Sequence, residues 1–229
     1  MSEFRKENLR GSSPLEFVCG KETALSNIRV HEGDLGDLSA YRDFAAVDTE
    51  AMGLKPGRDR LCLVQLSPGD GSVDVVRIPQ GQTSAPNLGL LLTDPAITKI
   101  FHFARFDVAM LKHSLGIAVS PIWCTKIASK LVRTYTDRHG LKDLARDLLG
   151  LDLSKQQQSS DWGAATLSEA QLEYAAADVL HLHALKDALE MRLKREGRVT
   201  LAEACFRFLP IRAELDLLGW DEEDIFAHS

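Results

Sequence analysis

Cysteine is scarce. The chain of 229 residues carries four, Cys19, Cys62, Cys124 and Cys205, and no two form a C-x-x-C pair. A zinc knuckle or a thioredoxin-like redox site is therefore unsupported, and reduced, buried thiols in a cytoplasmic protein are expected. Long apolar runs are also missing. None approaches the roughly 18 residues of a membrane span, and the N-terminus lacks a secretory hydrophobic region, so no membrane partner is expected. A basic surplus is absent as well: 27 Lys and Arg against 33 Asp and Glu give a net charge of -6. Proteins that grip long nucleic acid along its backbone usually carry a basic stripe. Any nucleic-acid partner is thus expected to be short, or held at a local site. No internal repeat or low-complexity tract divides the chain.

What is present is a hydrophobic fraction of 45%, enough for one substantial domain with a full core. Residues 1–26 are polar, with Gly11-Ser12-Ser13-Pro14 in their midst, and read as a disordered extension. Strands are expected at Ile28–His31, Phe44–Glu50, Leu61–Ser67, Val73–Ile78 and Thr98–His102, the second to fourth forming an antiparallel set. Helices are expected over Asp34–Arg42, Leu88–Leu92, from Ala104, over Trp123–Val132 and Leu141–Leu149, from Ser168, and over roughly 198–218. Ser168-x-x-Gln171 is a capping box that marks where the long helix starts. Strands come early and helices late, which points to an α/β domain with a mixed sheet flanked by helices. A single domain over residues 27–219 and an acidic tail over 220–229 complete the reading.

The centre of the chain is Phe44-Ala45-Ala46-Val47-Asp48-Thr49-Glu50. Alternation along a strand points Asp48 and Glu50 the same way. A same-face acidic pair at the end of an apolar run calls for a compensating charge, and a divalent cation is the usual one; a buried strand ending in a solvated turn is the simpler account. Two further carboxylates stand out. Asp107 lies in the first turn of a helix, where the helix dipole alone would favour it. Asp178 follows Tyr174 by four residues, so the two share a face, and the three alanines between them permit close packing on a sheet. A surface Tyr–Asp hydrogen bond would account for the pair but not for the alanines. Two strand and two helix carboxylates are the supply that a pair of divalent cations needs, and an all-oxygen set favours Mg2+ or Mn2+ over zinc.

Three of these stretches carry a family resemblance. Asp48-Thr49-Glu50, His102-Phe103-Ala104-Arg105-Phe106-Asp107 and Tyr174-Ala175-Ala176-Ala177-Asp178 resemble the three motifs of DEDD-type 3′→5′ exonucleases, and Tyr174 marks the tyrosine subgroup. Leu61–Ser67, Gly140–Leu144 and Ser160-Asp161-Trp162 add a likeness to ribonuclease D over about residues 28–195. The resemblance implies a ribonuclease H-like fold and a catalytic set of Asp48, Glu50, Asp107, Tyr174 and Asp178. The four carboxylates would hold two metal ions, with Asp48 bridging. For substrate it implies contacts by Glu50 and the backbone near Met52 to the terminal ribose, and Leu54 beside a base. His102 and Arg105 would reach a phosphate, with a backbone-satisfied strand-end histidine as the alternative for His102. Lys155, Gln158 and Trp162 would meet phosphate and base, with a core role as the alternative for Trp162.

Two departures narrow the resemblance. No helicase-and-RNase-D C-terminal (HRDC) domain is expected so soon after the third motif, and Cys124 stands where family members often have Asp before Thr125. The short, acidic form resembles the alphaproteobacterial nano-RNase C group. That likeness implies very short RNA, dinucleotides especially, as substrate and a homo-oligomer, in that group a ring octamer. The expected function is a two-metal 3′→5′ exoribonuclease releasing 5′-mononucleotides. A general exonuclease on longer RNA or single-stranded DNA is one alternative, and a catalytically silent nucleic-acid-binding module another.

Overall fold

The computed structural model describes residues 27–154 and 156–228; the expected disordered extension and Lys155 lie outside them. Six strands form one sheet: β1 (Ile28–Glu32), β2 (Phe44–Ala51), β3 (Leu61–Ser67), β4 (Val73–Arg77), β5 (Thr98–Phe101) and β6 (Ile122–Cys124), in the order β1-β4-β3-β2-β5-β6. The run β2-β3-β4 is antiparallel, whereas β1 joins β4, β5 joins β2 and β6 joins β5 in parallel. Every residue of β3 is buried, as a strand covered on both faces must be.

Seven α-helices cover the sheet among the described residues: α1 (Pro86–Thr93), α2 (Ala104–Leu115), α3 (Thr125–Val132), α4 (Leu141–Leu144, continued by a π turn over Ala145–Leu149), α5 (Glu169–Leu180), α6 (Leu182–Arg195) and α7 (Val199–Leu217). Helix α5 packs on β2, β3 and β4, and α7 packs along α2 and β6. No helix among the described residues is long and apolar enough to cross a membrane.

Three expectations need correction. Asp34–Arg42 is not a helix. Its side chains bind backbone instead: Asp34 accepts from the amides of Leu35, Asn87 and Leu88, fixing the start of α1, and Asp37 accepts from the amide and hydroxyl of Ser39. Asp and Ser favour such local bonds over helix. The expected helix at Trp123 begins two residues later, because Ile122–Cys124 pairs with β5 as the sheet's edge strand, Ile100 opposite Trp123. The long helix from Ser168 is two, broken at His181.

Candidate active site

The site grows from the way β2 loses one neighbour. Strand β5 pairs with β2 only as far as Ala46 opposite Ile100, while β3 accompanies β2 to Ala51. Beyond Ala46, Asp48 and Glu50 therefore border an opening at the carboxyl ends of two parallel strands, where open α/β sheets place their ligands. Two helices close in on it. The first turn of α2 brings in Asp107, which is 3% exposed, and the hydroxyl of Thr49 donates to its Oδ1 at 2.7 Å. Helix α5 brings in Tyr174 and Asp178. The capping box at its start is complete in both directions, and Ala175 and Ala176, both fully buried, let the helix backbone approach the sheet closely.

Carboxylate oxygens of Asp48, Glu50 and Asp178 lie within 4.8 Å of one another. Asp107 stands outside that trio but close enough to repel Asp48 and Glu50. Burial is the largest cause of a raised pKa in all four, and repulsion from neighbouring acids adds to it at Asp48, Glu50 and Asp107. Asp48 is held well above the usual carboxylate range, Glu50 rises to about 9, and Asp107 and Asp178 each rise to about 7. The Tyr174 phenol is likewise raised, by burial first and then by Asp178, Glu50 and Asp48, so it keeps its proton at neutral pH. Four acids so placed, with no cation among the groups that perturb them, make a donor set suited to hard divalent cations.

The cleft above them has a volume of about 300 Å³ and is lined by Asp48, Asp178, Tyr174, His102, Gln158 and Lys142, among others. His102 sits at the end of β5 with Nδ1 2.9 Å from Thr125 Oγ1, and burial lowers its pKa to about 3, so the ring is neutral. Met52 and Leu54 stand exposed on the β2–β3 loop, 50% and 81% respectively.

Two expected substrate contacts are otherwise engaged. Arg105 does not face a free phosphate position: its guanidinium grips Asp216 on α7 at 2.6 and 2.8 Å and donates to the Asp221 carbonyl. Trp162 is not an open stacking surface, being 3% exposed and packed on Tyr174 with ring centroids 5.9 Å apart. Arg133 is buried and bound to Ser129, Asp147 and the Arg138 carbonyl. Conversely, Phe103, Lys126 and Lys142 line the cleft without having been singled out. Phe103 lies inside the His102–Asp107 stretch and Lys142 inside Gly140–Leu144, but nothing in their local pattern sets them apart.

A sequence profile described as a 3′-5′ exonuclease matches residues 36–194. The chain belongs to the 3′–5′ exonuclease family. Within it, the likeness is to ribonuclease D and NrnC. A ribonuclease D of Gluconacetobacter diazotrophicus is 40% identical over 156 residues, which are 68% of this chain and 39% of that protein. The chain thus spans about two fifths of the length of the curated relatives it matches. NrnC of Brucella melitensis superposes with a TM-score of 0.87 at 63% identity, covering 89% of this chain and 100% of that one. NrnC is also known with bound Mg2+ and bound to pGG. Ribonuclease D of Escherichia coli superposes with a TM-score of 0.68 at 28% identity, covering 76% of this chain and 45% of that one. The mixed sheet flanked by helices is the DEDD exonuclease fold of these proteins.

Proposed function

We propose that this exonuclease hydrolyses short RNA, with dinucleotides as its preferred substrate, from the 3′ end to 5′-mononucleotides. The observation that carries the reading is the convergence of Asp48, Glu50 and Asp178 beside a protonated Tyr174, with Asp107 held behind them by Thr49. Asp48, Glu50 and Asp178 would hold one divalent cation, and Asp48 with Asp107 a second. Mg2+ or Mn2+ would supply Lewis acidity there, easing loss of a proton from the attacking water and offsetting negative charge on the phosphate and the departing 3′ oxygen.

The chain's own groups do the rest. Tyr174, too weak an acid to serve as a base at neutral pH, orients the attacking water through its hydroxyl. Glu50 and the backbone at Met52 position the terminal ribose, and Leu54 lies beside a base. Neutral His102 and Gln158, both at the cleft wall, offer hydrogen bonds to the substrate backbone. Lys155 joins them on sequence grounds alone.

Support for the short substrate comes from the small cleft, the net charge of -6 and the likeness to NrnC, a protein known bound to pGG. The free thiols Cys62, Cys124 and Cys205 support a cytoplasmic setting. Exposed Leu201, Ile211, Leu218 and Trp220 on and after α7 support a homo-oligomer, up to a ring octamer; light scattering showing a monomer would remove that part alone. The test of the whole is product analysis on an RNA length series from two to about ten nucleotides, and on the matching DNA, with Mg2+ or Mn2+. Faster turnover of the dinucleotide is expected. Equal or faster turnover of the long RNA or DNA would replace the dinucleotide preference with a general exonuclease, and inertness with every metal would leave a binding module.

A further inference from the structure

Phe103 is held in a conformation that its side chain opposes. Its backbone is left-handed, with φ 69° and ψ 43°, at the junction between β5 and α2. Bulky L-residues rarely adopt that region, and strained backbone tends to gather at functional sites. Phe101 and Ala104 on either side are each 0% exposed, whereas Phe103 is 43% exposed. Two of the three spaces that Phe103 lines bear on the site. One is the carboxylate cleft, which it lines with Asp48, Tyr174 and Asp178. The other is an adjoining cavity of about 490 Å³ that it shares with exposed Leu54. The Lys126 ammonium lies 4.2 Å from the ring centroid and lines the cleft but not the adjoining cavity, which leaves the ring open on that side. Beyond the Lys126 contact, stability gives no reason for this arrangement. Glycine or asparagine would relieve the backbone, and an exposed ring gains little from burial.

We propose that Phe103 is the stacking platform for the base of the nucleotide upstream of the scissile phosphate, with Leu54 facing it across the adjoining cavity. The assignment rests on the exonuclease reading above. In that reading the 3′-terminal nucleoside lies at the end of β2, by Glu50 and Met52. Phe103 stands at the end of the neighbouring strand, past Asp48, where the next nucleoside toward the 5′ side arrives. Aromatic rings bind bases by stacking without regard to sequence, which suits a degradative enzyme. Lys126, held by the ring face, puts a positive charge where the chain's phosphate passes.

The test compares an intact dinucleotide with one whose upstream unit lacks its base, in the wild type, Phe103→Asn and Phe103→Tyr. Wild type should favour the intact substrate by about ten- to a hundredfold in kcat/KM, as a single base stack allows. Phe103→Asn should lose that preference, mainly through KM, with its melting temperature equal or higher. Phe103→Tyr should keep the preference. Equal wild-type handling of both substrates, or a preference that survives in Phe103→Asn, would overturn the proposal. Equilibrium binding of the same two dinucleotides, read by fluorescence, separates it from the reading it rests on. A protein that hydrolyses nothing, yet binds the intact dinucleotide better in a Phe103-dependent way, sustains the platform and sinks the exonuclease reading. Normal turnover with no base preference in binding does the reverse.

Discussion

Asp74 on β4 and Asp48 on β2 are carboxylates set two strands apart in the same sheet, and their surroundings are opposite. Asp74 is 2% exposed and fully partnered. It accepts from Arg29 at 2.7 and 2.8 Å and from the Tyr41 hydroxyl at 2.6 Å, with His31 Nε2 at 2.7 Å. Burial alone would raise its pKa, but the bonds from Arg29, Tyr41 and His31 outweigh burial and hold it below the usual range. Asp48 has acids for neighbours in Asp107, Asp178 and Glu50, and its pKa is driven up. The Asp74 cluster is complete and ties edge strand β1 to the sheet. The Asp48 cluster is incomplete, and what would complete it is positive charge. Buried acids therefore mark a site here by lacking partners, not by being buried.

The contrast can be broken by substitution. Asp48→Asn should lower hydrolysis by at least about a thousandfold, the scale of losing an electrostatic group at the reacting centre, while the chelated protein melts at an equal or higher temperature because a buried acid that is costly to ionise is gone. Retained activity would remove Asp48 from the centre of the site. Asp74→Ala should do the opposite. It should cost about 3 kcal/mol of stability in denaturant unfolding, the low end for a broken buried pair because Arg29 is half exposed, and leave kcat per folded molecule unchanged. A loss of kcat with stability intact would show that the two clusters are coupled.

The pH dependence sharpens the same contrast. Glu50, Asp107 and Asp178 have folded pKa values raised above their ordinary 4.5, 3.8 and 3.8 to about 9, 7 and 7. A raised carboxyl contributes its stability below the ordinary value and loses it as pH climbs through the folded one. The metal-free protein should therefore lose several degrees of melting temperature between about pH 5 and 9, with excess Mg2+ or Mn2+ flattening the slope, as calorimetry would show. A metal-free protein most stable at pH 9 would contradict the unpaired acids. The smallest effect is expected at Thr49→Val, which removes the one hydroxyl that donates to Asp107. Losing a hydrogen bond to a charged group, worth roughly 1.5–3 kcal/mol, should cut kcat about tenfold or more, with KM little changed. An equal change in KM would place Asp107 in substrate binding.

Much of this was legible in the chain. The apolar run into Asp48 and Glu50, the capping box at Ser168 and the Tyr174–Asp178 spacing are local patterns, and local geometry places those groups. What engages Arg105 and Trp162 is not legible locally, because the contacts are tertiary: Asp216 lies 111 residues from Arg105, and Trp162, for which a core role stood as the alternative, packs on Tyr174 across a loop. The edge strand at Ile122–Cys124 was invisible for the same reason, since three residues become a strand only by pairing with β5.

The sequence by itself determined which residues share a face, where α5 begins and which acids a metal site would draw upon, because those follow from the period of strand and helix and from capping chemistry. Only the tertiary structure decided that β5 leaves β2 at Ala46 and opens the cleft, that Asp74 is paired while Asp48 is not, and that Phe103 stands exposed in a left-handed turn. Those facts depend on which distant groups meet, and the dielectric and partners that set a carboxylate's charge come from that meeting.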